Sequence, residues 1–95
     1  MDIATAIRNR KLLRFDYHGH SREVEPHTYG IDANGHRALR AYQVQGGSRS
    51  RNPSSWRMFH EKDMRNVSVL ADGFGGPRPD YHQGDPAFRS IIAEL

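Results

Sequence analysis

From Leu13 the chain alternates apolar and polar side chains: Leu13, Phe15 and Tyr17 interleave with Arg14, Asp16 and His18. A period of two sends alternate residues to opposite faces of an extended chain, so this segment predicts a half-buried strand. Gly19 marks the following turn. Residues 22–32 predict a second strand, in which Pro26 lacks an N–H and demands an edge position or a bulge. Asp32-Ala33-Asn34-Gly35 predicts a hairpin turn, with Asn-Gly supplying positive φ. Strand character resumes over 37–45, where Leu39 and Ala41 share one face and Arg40, Tyr42 and Val44 the other. It returns over 55–60, with Trp56 and Met58 opposite Arg57 and Phe59, and a last strand through Val67 and Val69 ends near Leu70. Glu61-Lys62-Asp63 between them predicts one helical turn.

Three stretches depart from this alternation. Ile3, Ala6 and Ile7 stand at helical spacing and predict a short helix over 3–11, capped by Asp2. Arg8, Arg10 and Lys11 then lie at its C-terminal end, where the helix dipole favours cations. Residues 46–55 predict a long, mobile, polar loop. Residues 72–85 are rich in Gly and Pro, with Phe74 and Tyr81 as anchors. After them, Asp85-Pro86 predicts a helix start, with Phe88, Ile91, Ile92 and Leu95 as its apolar face. Five short strands without crossover helices predict a mainly β fold, a small antiparallel barrel. The expected organisation is one domain over 1–95: helix and barrel over 1–71, then a tail over 72–95 that ends in a helix.

Composition narrows the chemistry. The chain has no cysteine, which excludes disulfides and thiol catalysis and is compatible with a reducing compartment. No apolar run is long enough for a signal peptide or a membrane span, so a cytoplasmic protein without a membrane partner is expected. Fourteen basic against eleven acidic residues leave a net charge of +3, and all the basic residues except Lys11 and Lys62 are arginine. The planar guanidinium fork suits phosphate, carboxylate and stacked bases.

Arg14, Arg22, Arg40, Arg57 and Arg65 fall in or beside predicted strands, while Arg49 and Arg51 sit in the polar loop. Arginines on adjacent strands can converge on a phosphate chain, with Tyr42, Tyr29 and Trp56 as stacking surfaces. The competing reading pairs them across strands with Glu23, Glu25, Asp16 and Glu61, and a third makes them a protein-partner surface. The ligand-binding candidates are Arg40, Arg57, Arg22, Tyr42, Arg14, Arg49 and Arg51, with Arg40 and Arg57 foremost.

The order of elements and several strings resemble the WYL domain family. The strings are Ala6-Ile7 with Leu12-Leu13-Arg14-Phe15-Asp16-Tyr17, Arg22-Glu23-Val24-Glu25-Pro26, Leu39-Arg40-Ala41-Tyr42 and Trp56-Arg57-Met58-Phe59. Residues 74–81 resemble the tail of short stand-alone members. The family's naming triplet Trp-Tyr-Leu stands here as Arg37-Ala38-Leu39, which keeps only the leucine. The resemblance implies a small barrel of the SH3/Sm type, found in bacterial regulators, that senses nucleic acid or nucleotide-like ligands. Family members commonly follow a helix-turn-helix domain. No such domain is expected before residue 1, and so neither is regulation by that fused arrangement.

Catalysis finds little support. Ser48, Ser50, Ser54 and Ser55 lack a nucleophile-elbow context, and Gly73, Gly75 and Gly76 lead into prolines rather than opening a helix. His18-Gly19-His20 places two imidazoles in one turn without further ligands at zinc spacing, so no metal or other cofactor is expected. The function expected is a non-catalytic ligand-sensing module for an anion, single-stranded nucleic acid or a nucleotide. The alternative is a protein-interaction module without a small ligand, dimerising through its tail.

Overall fold

The computed structural model describes residues 3–46 and 55–95. They form one short helix, α1 (Ile3–Arg8), and six strands: β1 (Lys11–Tyr17), β2 (His20–Asp32), β3 (Arg37–Gly46), β4 (Ser55–His60), β5 (Met64–Gly73) and β6 (Phe88–Glu94). A 3-10 turn, Glu61–Asp63, links β4 to β5. All strand pairs are antiparallel, in the order β4-β3-β2-β1-β5, with β6 added to β2. The mainly β expectation holds. The hydrogen-bonded path does not close on itself, yet the sheet must curl. Its end strands β4 and β5 would lie about 19 Å apart in a flat sheet, whereas a 3-10 turn of this length spans only about 8 Å.

β2 organises the sheet. One of its edges pairs with β3 from Arg22 to Ile31. The other edge is shared: β1 pairs with it up to Val24, and β6 takes over from Thr28 to Asp32. Pro26 falls in the gap between these partners, where a missing N–H breaks no ladder, and the β2–β3 register shifts between Pro26 and Thr28. The bulge read from the proline is therefore present, within a central strand.

The alternation of β1 buries Leu13, Phe15 and Tyr17 against Val24, Leu39, Ala41 and Phe59. Phe15 and Tyr17 meet the Phe59 ring edge to face at 4.9 and 5.0 Å. Ile3, Ala6 and Ile7 of α1 add to this core, and the helix lies against β1, β2 and β6. It is shorter than predicted because Arg10 turns left-handed at φ 52°. The Arg10 carbonyl then accepts the Phe74 N–H at 2.9 Å, tying the start of the tail to the end of the helix. Asp2 and residues 47–54, including most of the predicted loop, lie outside the described residues.

The terminal helix does not form; the segment is strand β6, so β5 is not the last strand. Asp85-Pro86 initiates a turn instead: the Asp85 carbonyl accepts the Phe88 N–H and its Oδ1 the Ala87 N–H. A helix of that length has little stability alone. The half of β2 beyond β1 offers unpaired N–H and C=O groups, and Ile91 and Ile92 are β-branched residues suited to a strand. Phe88 and Ala93 are buried and Ile91 half-buried, while Ile92 is exposed.

β6 lies so close to Gly30 that a side chain has no room there. A Cβ on Gly30 would collide with the Ser90 carbonyl oxygen and lie 3.0 Å from Ile91 Cα. Gly30→Ala is therefore expected to force β6 outward and lower the thermal midpoint by at least about 4 °C, an overpacking cost of about 1 kcal/mol or more. An unchanged midpoint in a melting experiment contradicts this seating of β6.

Candidate functional site

The β3–β4 register aligns Leu39 with Phe59, Ala41 with Arg57 and Gln43 with Ser55. Because Leu39, Ala41 and Phe59 face the core, Gln43 and Arg57 face it too, farther along the hairpin. On β2, Arg22 sits beside Phe15 and points the same way. Its Nη1 donates to Gln43 Oε1 at 3.1 Å and its Nη2 to the Tyr17 carbonyl at 3.2 Å. The guanidinium carbon lies 5.6 Å from the Tyr17 ring centre and 5.8 Å from that of Phe59, within cation–π range.

Arg22 is 7% exposed and Gln43 fully buried. Desolvation lowers the Arg22 pKa and the neighbouring Arg57 charge lowers it further, against an opposing effect of Tyr17. No carboxylate pairs with Arg22 among the described residues. Arg22 Nε and Gln43 Nε2 are buried donors that find no acceptor there. Each such donor costs about 1–3 kcal/mol. An anion oxygen reaching them would supply missing acceptors, and Arg57 beside them is half-buried.

Arg40 and Tyr42 project from the opposite face of the sheet, under the tail. Arg40 Nε donates to Asp85 Oδ2 at 2.8 Å. Burial pushes the Asp85 carboxyl up, but the hydrogen bonds from Arg40 and the Ala87 N–H prevail and hold it below the usual range. Arg40 is thereby neutralised at the wall of a cavity of about 220 Å³, lined also by Trp56, Tyr81 and His82. Tyr42 meets Trp56 edge to face and carries the Arg78 guanidinium 4.4 Å above its ring. Arg78 in turn grips Glu25 with two bonds of 2.8 and 2.9 Å.

The candidate residues therefore separate. Arg22 and Arg57 come together. Arg40 and Tyr42 form part of the tail's seat, and Arg14 is exposed and pairs with Glu23 at 3.3 Å. Arg49 and Arg51 lie outside the described residues. The cross-strand pairing weighed for the arginines holds for Arg14; Glu25 goes instead to Arg78 of the tail. Gln43 was not singled out in the sequence, although its place two residues beyond Ala41 on the core-facing side of a predicted strand was a signal.

A second polar cluster lies at the other end of the β2–β3 hairpin. Asp32 Oδ1 accepts the N–H groups of Asn34 and His36, both at 2.9 Å. Of the hairpin glycine and asparagine, only Gly35 takes positive φ. Asp32 Oδ2 remains, 3.9 Å from His36 Nδ1 and 3.6 Å from His60 Nε2. The two imidazole rings are centred 5.4 Å apart. The hydrogen bond from the His36 N–H leads the effects that hold the Asp32 carboxyl below its usual range. This is the one group of histidines and carboxylates among the described residues that is close enough to hold a metal ion. It does not use His18 or His20.

Comparisons with protein-family models, with curated proteins and with solved structures found no match to this chain.

The tail's seat has its own titratable group. His27 is fully buried, and its Nδ1 lies 2.8 Å from the Glu25 carbonyl, which can only accept, so Nδ1 carries the proton. Nε2 then accepts the Arg78 N–H at 3.1 Å. Desolvation lowers the His27 pKa from its ordinary value of 6.5 and outweighs the opposing effects of Glu25. Below that ordinary value the unfolded chain binds the proton more readily than the folded one, so stability is full above it and declines as the pH falls. Urea midpoints at about pH 7.5 and about pH 5 should show the decline, and His27→Gln should shrink it. Equal pH dependence in the two proteins would show that His27 is not its source.

Proposed function

We propose that this chain is a non-catalytic binding module for an anionic ligand, a nucleotide or a single-stranded nucleic acid, built on a small SH3/Sm-like barrel of the WYL type. The observation that carries the reading is the pair of buried donors, Arg22 Nε and Gln43 Nε2, left without acceptors among the described residues beside a second guanidinium, that of Arg57. Arginine and amide groups bind charge but have no proton to transfer at neutral pH, which favours recognition over catalysis. The barrel is supported by the three-residue link between the two end strands and by the register shifts in β1 and β2, which let a sheet bend. The WYL assignment rests on the resemblance of the strings around Arg22 and Leu39.

Binding of short DNA and RNA strands and of nucleotides at low salt tests the reading. Each neutralised phosphate of a single strand contributes about −0.7 to the slope of log affinity against log salt, so Arg22 and Arg57 together give about −1.4. Arg57→Gln should weaken binding and flatten the slope by about 0.7 while the protein stays folded. Arg22→Met removes the charge and should abolish binding; it also leaves Gln43 Oε1 and the Tyr17 carbonyl without their donor, so the thermal midpoint should fall by several degrees while the protein stays folded. Absence of binding by the unmodified protein overturns this proposal and promotes the protein-interaction module.

A further inference from the structure

We propose that Asp32, His36 and His60 form a binding site for a divalent transition metal, zinc foremost, at the tip of the β2–β3 hairpin. Zinc binds imidazole nitrogen at about 2.0–2.1 Å and carboxylate oxygen at about 2.0–2.2 Å, which puts neighbouring tetrahedral ligands about 3.4 Å apart. Asp32 Oδ2 already lies 3.6 Å from His60 Nε2 and 3.9 Å from His36 Nδ1, and all three ligand atoms fall within 4.8 Å of one another. The remaining closure needs only side-chain rotation. The two histidine side chains are 47% and 38% exposed and free to make it, whereas Asp32 is fixed.

The arrangement separates the work of the carboxylate. Oδ1 is committed to the turn, so the orientation of Oδ2 is set by backbone N–H groups and not by the histidines. Among the described residues neither imidazole is engaged in a hydrogen bond, and Asp32 Oδ2 is the charged group nearest to both. Two imidazoles and one carboxylate are a donor set for zinc, nickel, cobalt or copper, and too poor in oxygen for calcium or magnesium. Three protein ligands leave a fourth position for water. Beside His36 lies a cavity of about 420 Å³ bordered also by Gly35, Arg37, Glu61 and Lys62. The Arg37 charge there is offset: its Nη1 donates to the Tyr29 hydroxyl at 3.3 Å, and that hydroxyl donates to Glu61 Oε1 at 2.7 Å.

The test uses the full chain, stripped with a chelator and titrated with zinc and, separately, with cobalt. The expected result is one ion per chain at micromolar affinity or tighter, with a tetrahedral absorption spectrum for cobalt. The ring resonances of His36 and His60 should shift on zinc addition, and those of His18, His20 and His82 should not. His36→Ala, His60→Ala and Asp32→Asn should each weaken binding at least about tenfold. The two histidine variants truncate exposed side chains, and Asp32→Asn keeps the Oδ1 acceptor, so all three retain the fold. No binding at micromolar zinc, or equal binding by a protein carrying both histidine substitutions, overturns the site.

Discussion

One edge of β2 serves two partners, and most of the structure follows from that division. β1 covers the edge as far as Val24 and β6 covers it from Thr28. The residues between have no continuous ladder, so their polar groups must be satisfied by other means. Pro26 offers no N–H. The Glu25 carbonyl takes the His27 ring, and the His27 carbonyl takes the Leu95 N–H. The Glu25 carboxylate takes Arg78. The tail between β5 and β6 has to cross this place, and it brings the groups that complete it.

That crossing explains why the two faces of the β3–β4 ribbon differ. On the outer face, Tyr42 and Trp56 meet His27, Arg78 and Tyr81 in an aromatic and cationic layer whose charges are matched by Glu25 and Asp85. On the inner face, beyond Phe59, Arg22 is buried with no such match among the described residues. Electrostatics alone would place arginines outside and aromatics inside. The inversion at Arg22 makes it the residue whose burial most needs a reason beyond folding.

The strands were legible because a period of two survives in Leu13-Phe15-Tyr17 and Leu39-Ala41, where one face is buried and the other carries polar or amphipathic side chains that are at most half-buried. Pro26 disclosed its bulge for the equally local reason that it lacks a donor. The terminal element was misread for a non-local reason. Asp85-Pro86 serves a turn as well as a helix, and the free edge that decides between them belongs to residues more than fifty positions away. The site was legible in part. Arg22 and Arg57 stood out as charges inside strands, but Arg40 stood out for the same reason and is neutralised by Asp85. Distinguishing them requires knowing where the tail lies. Asp32 and His36 were adjacent across a recognised turn, but His60 joins them only through the pairing of β4 with Ala38.

The late arrival of β6 also has a kinetic side. Its partners in β2 lie some sixty residues upstream, and closing so long a loop is slow compared with forming the local β1–β2 and β2–β3 hairpins. During that interval the Thr28–Asp32 edge stands open beside an assembled hairpin, and an open edge pairs with whatever strand reaches it. The β6 of a second chain has the same sequence and fits equally well. At high concentration, exchange of terminal strands therefore competes with correct closure, and Gly30, whose missing side chain lets β6 lie flat, admits either copy alike.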